Sequence, residues 1–269
     1  MLHSITMGQY LPVNSPVHKM DPRAKLLITA ITAFMIINAT GWLGILTVTI
    51  WIGLIVAAAR IRMVLYWQIY KPLWLLLIIS FILQVFLTPG QHLLLLRYLS
   101  ISKQGLVVGA SLLWQMACML LVAAVLTFST TPIQLSTALE RLLLPLAKLR
   151  VPVREFAMAI NLALRFVPTL FDEARLLIAA QRSRGADFTR GGVKQRARGL
   201  IPFLVPLLAN IFRRADELAV AMEIRCYHSG VKRSSINLLK FKLTDYLAIL
   251  ASLILLLIIL ALPLLGVVS

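Results

Sequence analysis

Four stretches of this chain carry no Asp, Glu, Lys or Arg: residues 26–59, 72–96, 104–139 and 246–269. Runs this long and this apolar are expected to cross a lipid bilayer as helices. Only 14% of the 269 residues are charged, where a soluble domain has about a quarter. The first run has 34 residues. That is about 51 Å of helix, too long for a hydrocarbon core of about 30 Å. Asn38-Ala39-Thr40-Gly41 supplies a turn within it. The expected spans are therefore 26–40, 42–59, 72–88, 106–128 and 245–266. The expected fold is an all-α integral membrane protein, with about five transmembrane helices and a cytoplasmic or interfacial domain of long amphipathic helices. Residues 1–128 form an N-terminal membrane domain, 129–243 a domain of three helices, and 244–269 a last span.

The formal charge of +17 is a matter of location. Residues 140–242 hold 19 of the 27 Lys and Arg, with eight of the ten acids. Cations favour the cytoplasmic side. The N-terminus, the 60–71 loop and 129–243 are thus expected in the cytoplasm of a multi-pass plasma-membrane protein. The 89–105 loop and the C-terminus are expected outside.

Several function classes fall away. The uncharged runs hold no charge for an ion or proton relay, which counts against a secondary transporter. Their few polar residues, Asn38, Gln84 and Gln115 among them, read as helix–helix hydrogen bonding. No Gly-x-x-x-x-Gly-Lys-[Ser/Thr] loop is present. No paired carboxylates, nucleophile elbow or His/Cys cluster suggests an enzyme. His3, His18, His92 and His228 lack metal-ligand spacing, and Cys118 and Cys226 offer no disulfide framework. The first 25 residues contain no apolar segment of a signal peptide. No cofactor is expected to bind directly, and no nucleic acid, since the basic block has no interleaved aromatic platform.

Within 129–243, Thr131-Pro132 reads as a helix start. A second helix is expected from Pro152, bent at Pro168, to Gly185, a residue suited to a left-handed C-terminal position. A third is expected from about 200, bent at Pro202 and Pro206, to Tyr227, with Gly230 just beyond. Both end in the same pattern. Ala180-Gln-Arg182-Ser183-Arg184-Gly185 and Ala221-Met-Glu223-Ile224-Arg225-Cys226 each read Ala-x-x-x-Arg-small. A lone arginine at a helix C-terminus only complements the macrodipole, by about 0.3–1 kcal/mol. The repetition, and the small neighbours, point further. A guanidinium so flanked can enter a groove and meet a carboxylate bidentately. Residues 156–171 and 200–212 are too apolar to lie free in water. Arg190, Lys194, Arg196 and Arg198, beside Gly191-Gly192, read as a basic segment facing anionic lipid. Asp21-Pro22-Arg23-x-Lys25 reads as an anchor for the first span at the membrane surface.

Four stretches resemble a known family. GQYLPVNSPVHKMDPRAKLL (8–27), ALRFVPTLFDEARLLIAAQRSRGADF (163–188), ANIFRRADELAVAMEIRCYHSG (209–230) and the final span are similar to the transmembrane T component of energy-coupling factor (ECF) type ABC transporters. The likeness covers essentially the whole chain. It implies a non-catalytic subunit joining two ABC-type ATPases, which use the ATP, to a membrane S component that binds a vitamin or other micronutrient. It also implies coupling motifs at Ser183-Arg184-Gly185 and Ile224-Arg225-Cys226, supported by Ala180, Arg182, Ala221 and Glu223, with no metal site. The family's first motif usually has Ala where Ser183 stands; its second often reads Ala-Arg-Gly or Ala-Arg-Ser. A module shared among S components is expected. The alternatives are a T component dedicated to cobalt, nickel or biotin, a lipid-bound scaffold, and an independent secondary transporter.

Overall fold

Helix starts follow the capping chemistry of the sequence. In the computed structural model, which describes residues 10–88, 92–96, 99–149, 152–185, 193–228 and 241–263, Ser15 caps α1 (Pro16–Lys19) by accepting from the His18 amide. Asp21 caps α2 (Pro22–Asn38), accepting from the Arg23 amide at 2.9 Å with Pro22 as the first helical residue. The turn at 38–41 is present, with Gly41 at φ 68°. It separates α2 from α3 (Gly41–Ala59).

The chain then turns sharply through Arg60, which is left-handed at φ 52°, and α4 (Met63–Leu87) begins. The 60–71 loop expected from charge is therefore mostly helix. Lys71 and Pro72 lie inside α4. Long cationic side chains let a helix continue by reaching toward water, so the charge at 71 does not mark a helix end. Part of the expected 89–105 loop is a short antiparallel hairpin, β1 (His92–Leu96) and β2 (Leu99–Ser102). The helix α5 (Lys103–Ser129) follows, then α6 (Pro132–Leu143) and a 3-10 segment (Leu144–Leu149). Thr131 and Gln134 form a reciprocal capping box at the start of α6, at 3.2 and 3.3 Å. The long helices α7 (Val153–Ser183) and α8 (Val193–Ile224) precede α9 (Leu243–Ala261). α8 starts seven residues earlier than expected and runs through Pro202 and Pro206, as α7 runs through Pro168.

The protein is an all-α membrane protein, the hairpin being its one non-helical element among the described residues. Among the described residues four helices, α3, α4, α5 and α9, are long and apolar enough to cross a bilayer. α2 has 17 residues, about 25 Å, at the short limit for a span.

Two units are distinct: Met1–Ala138 with Asn237–Ser269, and Leu139–Ile236. In the first, Met35, Ile36, Val48, Ile52, Cys118, Val122 and Ile259 form one buried cluster from α2, α3, α5 and α9. A second joins Ala59, Tyr66, Ala124, Val125 and Phe128. Polar cross-links between helices come from Trp, Thr and Tyr. The Trp51 indole donates to Thr32 at 3.2 Å, Trp114 to Thr49 at 3.1 Å, and the Tyr70 hydroxyl to the Ala117 carbonyl at 2.5 Å. Outward faces are apolar, as lipid requires: Trp42, Trp67, Leu250 and Leu257 are all exposed. In the second unit α7 packs on α8.

Candidate functional site: two arginine-bearing helix tips

α7 ends at Ser183 and Arg184 is its C-cap. Gly185 follows with φ 86°, left-handed as a C-terminal glycine allows. The Arg184 amide donates to the Ala180 carbonyl at 3.3 Å and the Gly185 amide to Arg182 at 3.0 Å. α8 ends in the same way one residue after Ile224. The Arg225 amide donates to Ala221 at 3.3 Å, Cys226 to Glu223 at 2.9 Å and Tyr227 to Met222 at 3.0 Å. Those last two bonds, with Cys226 at φ 55°, make a complete Schellman cap. The recurring Ala-x-x-x-Arg-small pattern is thus one local structure used twice. The alanine supplies the carbonyl four residues back, and the small residue takes the left-handed turn. Ser183 turns its hydroxyl back to the Ala179 carbonyl at 3.1 Å.

Both caps leave the arginine outside. Arg184, Gly185, Arg225 and Cys226 are exposed, and so is Ile224, at 77%. Among the described residues neither guanidinium has an ion pair or a side-chain hydrogen bond. Each is available to an acceptor from elsewhere.

The two tips are not together. Gln181 on α7 donates to the Pro202 carbonyl on α8 at 3.2 Å. Glu173 accepts from Asn210 at 2.9 Å and pairs with Arg214 at 3.9 Å. Later residues of α7 thus meet earlier residues of α8, so the helices run antiparallel. Arg184 lies three residues past Gln181. Arg225 lies 23 residues past Pro202, about 34 Å along the axis. The arginines are therefore on the order of 35–40 Å apart. Between them the pair is largely apolar and open: Phe156, Leu176, Val205 and Phe212 are between 60 and 72% exposed. Arg190, Gly191, Gly192 and Gly230 lie outside the described residues, as do the side chains of Lys194, Arg196 and Arg198.

The comparisons with known proteins follow this geometry. The family model described as CbiQ, cobalt transport protein, matches residues 13–238. The chain is 38% identical over 247 residues to the energy-coupling factor transporter transmembrane protein EcfT of Acidaminococcus fermentans, covering 92% of each chain. It is 37% identical to the protein of that name from Clostridium kluyveri over 257 residues, 95% of each chain. The Staphylococcus aureus protein so named is 37% identical over 253 residues, 93% of each. The chain belongs to the CbiQ/EcfT family. This EcfT-family chain is thereby placed among transmembrane transporter components.

One polar cluster escaped the sequence reading. It lies in the first unit, where α1, α2, α5 and α9 have ends. Lys25, in the first turn of α2 and ahead of the 26–40 run, is 5% exposed. Its Nζ donates to the Ser129 carbonyl at 2.8 Å and to the His18 carbonyl at 3.3 Å. Burial pulls its pKa down to about 8, against the opposing pull of the Asp21 and Asp245 carboxylates. Asp21 is 6% and Asp245 0% exposed. Asp245 Oδ2 accepts from the Lys242 amide at 2.9 Å, completing the α9 cap. Asp21 Oδ2 and Asp245 Oδ1 have no hydrogen-bond partner among the described residues. The span expected over 245–266 thus opens on a buried carboxylate. The available signal was an acid at the edge of the last apolar run and a lysine at the edge of the first.

Proposed function

We propose that this chain is the coupling subunit of an ECF-type importer in the plasma membrane. In this reading it binds two cytoplasmic ABC-type ATPases through Arg184 and Arg225, and an S component through its apolar surfaces. It performs no catalysis and holds no cofactor of its own; its partners use the ATP. The N-terminus and residues 129–243 face the cytoplasm, where cations are favoured.

The observation that carries this reading is the pair of alike arginine caps, neither guanidinium paired among the described residues, some tens of ångströms apart. One groove cannot take both, whereas two ATPases can take one each. A buried carboxylate in each groove would grip the guanidinium bidentately. When ATP draws the ATPases together, the tips are displaced and α7 and α8 carry the motion to the S component. Rigid helices are suited to transmit such a displacement.

A module shared among several S components is favoured, because the relatives' printed name specifies no substrate. The family model's description names cobalt, which keeps a dedicated metal importer as the second reading. Accumulation of vitamins and of cobalt in cells expressing one S component at a time separates the two.

The test of the arginines is co-purification in detergent with the ATPases of the same cell. Wild type is expected to retain both ATPases. Arg184→Glu and Arg225→Glu are each expected to lose one contact, and the double variant both, with uptake abolished. Normal assembly and uptake by the double variant would refute the assignment.

A further inference from the structure

Two stretches of backbone connect the membrane helices to Leu139–Ile236: one leaves through Ser129-Thr130 and the other returns through Phe241-Lys242. Both are held at one place. On the way out, the carbonyl of Ser129, the last residue of α5, accepts from Lys25 Nζ at 2.8 Å, and the adjacent Leu11 amide donates to the Phe128 carbonyl at 3.0 Å. Ser129 and Thr130 are themselves buried. On the way back, the Arg23 guanidinium lies 5.6 Å above the Phe241 ring, and Asp245 closes the α9 cap on Lys242. Asp21, Lys25 and Asp245 are all more than nine-tenths buried. A buried lysine bonded to two backbone carbonyls, near two buried carboxylates that each keep an unused oxygen, is a costly arrangement. Apolar residues of like volume commonly serve stability as well or better. Its position at the meeting point of both connections suits it to a role beyond folding.

We propose that Asp21, Lys25 and Asp245 form the fixed root of residues 139–236, the point at which displacement of the arginine tips enters the membrane helices. Lys25 is the positioning residue. It ties the C-terminus of α5 to α1 and α2, while Asp21 caps α2 and Asp245 caps the start of α9 within the field of the same charge. Pulling on either connection then loads all four helix ends together. With the root neutralised, the connections move without the helices, and ATP is consumed without transport. This inference rests on the coupling reading above.

The experiment compares wild type, Lys25→Met and the triple variant Asp21→Asn/Lys25→Met/Asp245→Asn in the complete complex in proteoliposomes. ATP hydrolysis is measured alongside uptake of labelled biotin, folate or riboflavin, whichever the S component carries. The triple variant removes the unpaired buried charges that could keep Lys25→Met from folding. The expected result is near-native ATP hydrolysis, with uptake per ATP reduced about tenfold, toward the upper end of known coupling changes. A native ratio in the triple variant overturns the inference, and so does failure of both variants to accumulate as folded protein, which makes the cluster a folding element only. A wild-type chain that recruits no ATPase overturns the coupling reading itself, a different result in a different arm.

Discussion

The two tips share a cap but not its best residue, and this sets up a matched pair of substitutions. Cys226 sits at φ 55° and Gly185 at φ 86°. A side chain in the left-handed region costs roughly 1–2 kcal/mol, from its Cβ against the neighbouring carbonyl. Replacing Cys226 with glycine removes that strain. It also adds freedom to the unfolded chain, which offsets about 0.5–1 kcal/mol. The net expectation is a cap more stable by about 0.5–1 kcal/mol. Gly185→Ala should do the reverse by a similar amount. The Gly185 case isolates the backbone, because a Cβ built there meets nothing within 4 Å. Native-state amide exchange is the appropriate assay, since it reads local opening in a chain of two units. In Cys226→Gly the protection factors of the 226 and 227 amides, which bond to Glu223 and Met222, should rise about two- to fivefold. In Gly185→Ala protection of the 184 and 185 amides should fall by the same factor. Unchanged or lower protection in Cys226→Gly would mean that the backbone at 226 is not strained, and the comparison of the two caps would fail.

The remaining predictions concern the membrane unit. At Gly105 an added Cβ would lie 2.8 Å from the Val85 carbonyl oxygen and 3.2 Å from Val85 Cα; such close backbones need a small residue. Gly105→Ala should lower stability by about 1–3 kcal/mol in detergent melts. At Gly109 the nearest atom is the Phe81 ring at 3.2 Å, which can rotate aside, so Gly109→Ala should cost less; equal losses would contradict the distinction. Burial, and then the nearby Lys25 charge, lower the His18 pKa below 6.5, partly opposed by backbone hydrogen bonds. The folded state thus resists protonating His18 more than the unfolded state does. The His18 contribution to stability should be level above pH 6.5 and decline as pH falls from there toward the depressed folded pKa, a decline that His18→Gln should remove.

Architecture was legible where charge and caps speak. Uncharged runs gave α3, α5 and α9 to within a few residues, and Thr131-Pro132 and Gly185 gave helix ends, whereas Asp21-Pro22, read as a surface anchor, also caps α2. Two kinds of feature were not legible. Lys71 reads as a loop residue in sequence because positive-inside reasoning counts charges without asking whether a helix can carry them past the interface. The start of α8 was set late because glycine and proline near 191–202 look like a loop, and tertiary pairing with α7 overrides them. The Asp21–Lys25–Asp245 cluster was hidden for another reason. Asp245 lies 220 residues beyond Lys25 along the chain, and partners at that distance come together only through packing of α2 against α9.

The distance between the arginines, by contrast, follows from helix lengths and chain order. Both end consecutive helices of 31 and 32 residues, joined by a short link. Consecutive helices with a short link run antiparallel, so their C-termini must fall at opposite ends of the pair. Two motifs that look alike and lie 41 residues apart in sequence are therefore kept apart by roughly a helix length, not brought into one site. This converts a local likeness into a constraint on partners. Shortening α8 by one turn, with Arg225 and its cap moved intact, would draw the tips together by about 5.4 Å and rotate the second by little. If the two arginines serve two separate ATPases that close as a pair, that variant should still bind them in detergent yet hydrolyse ATP with weakened dependence on substrate. If they serve a single partner, one contact should be lost outright.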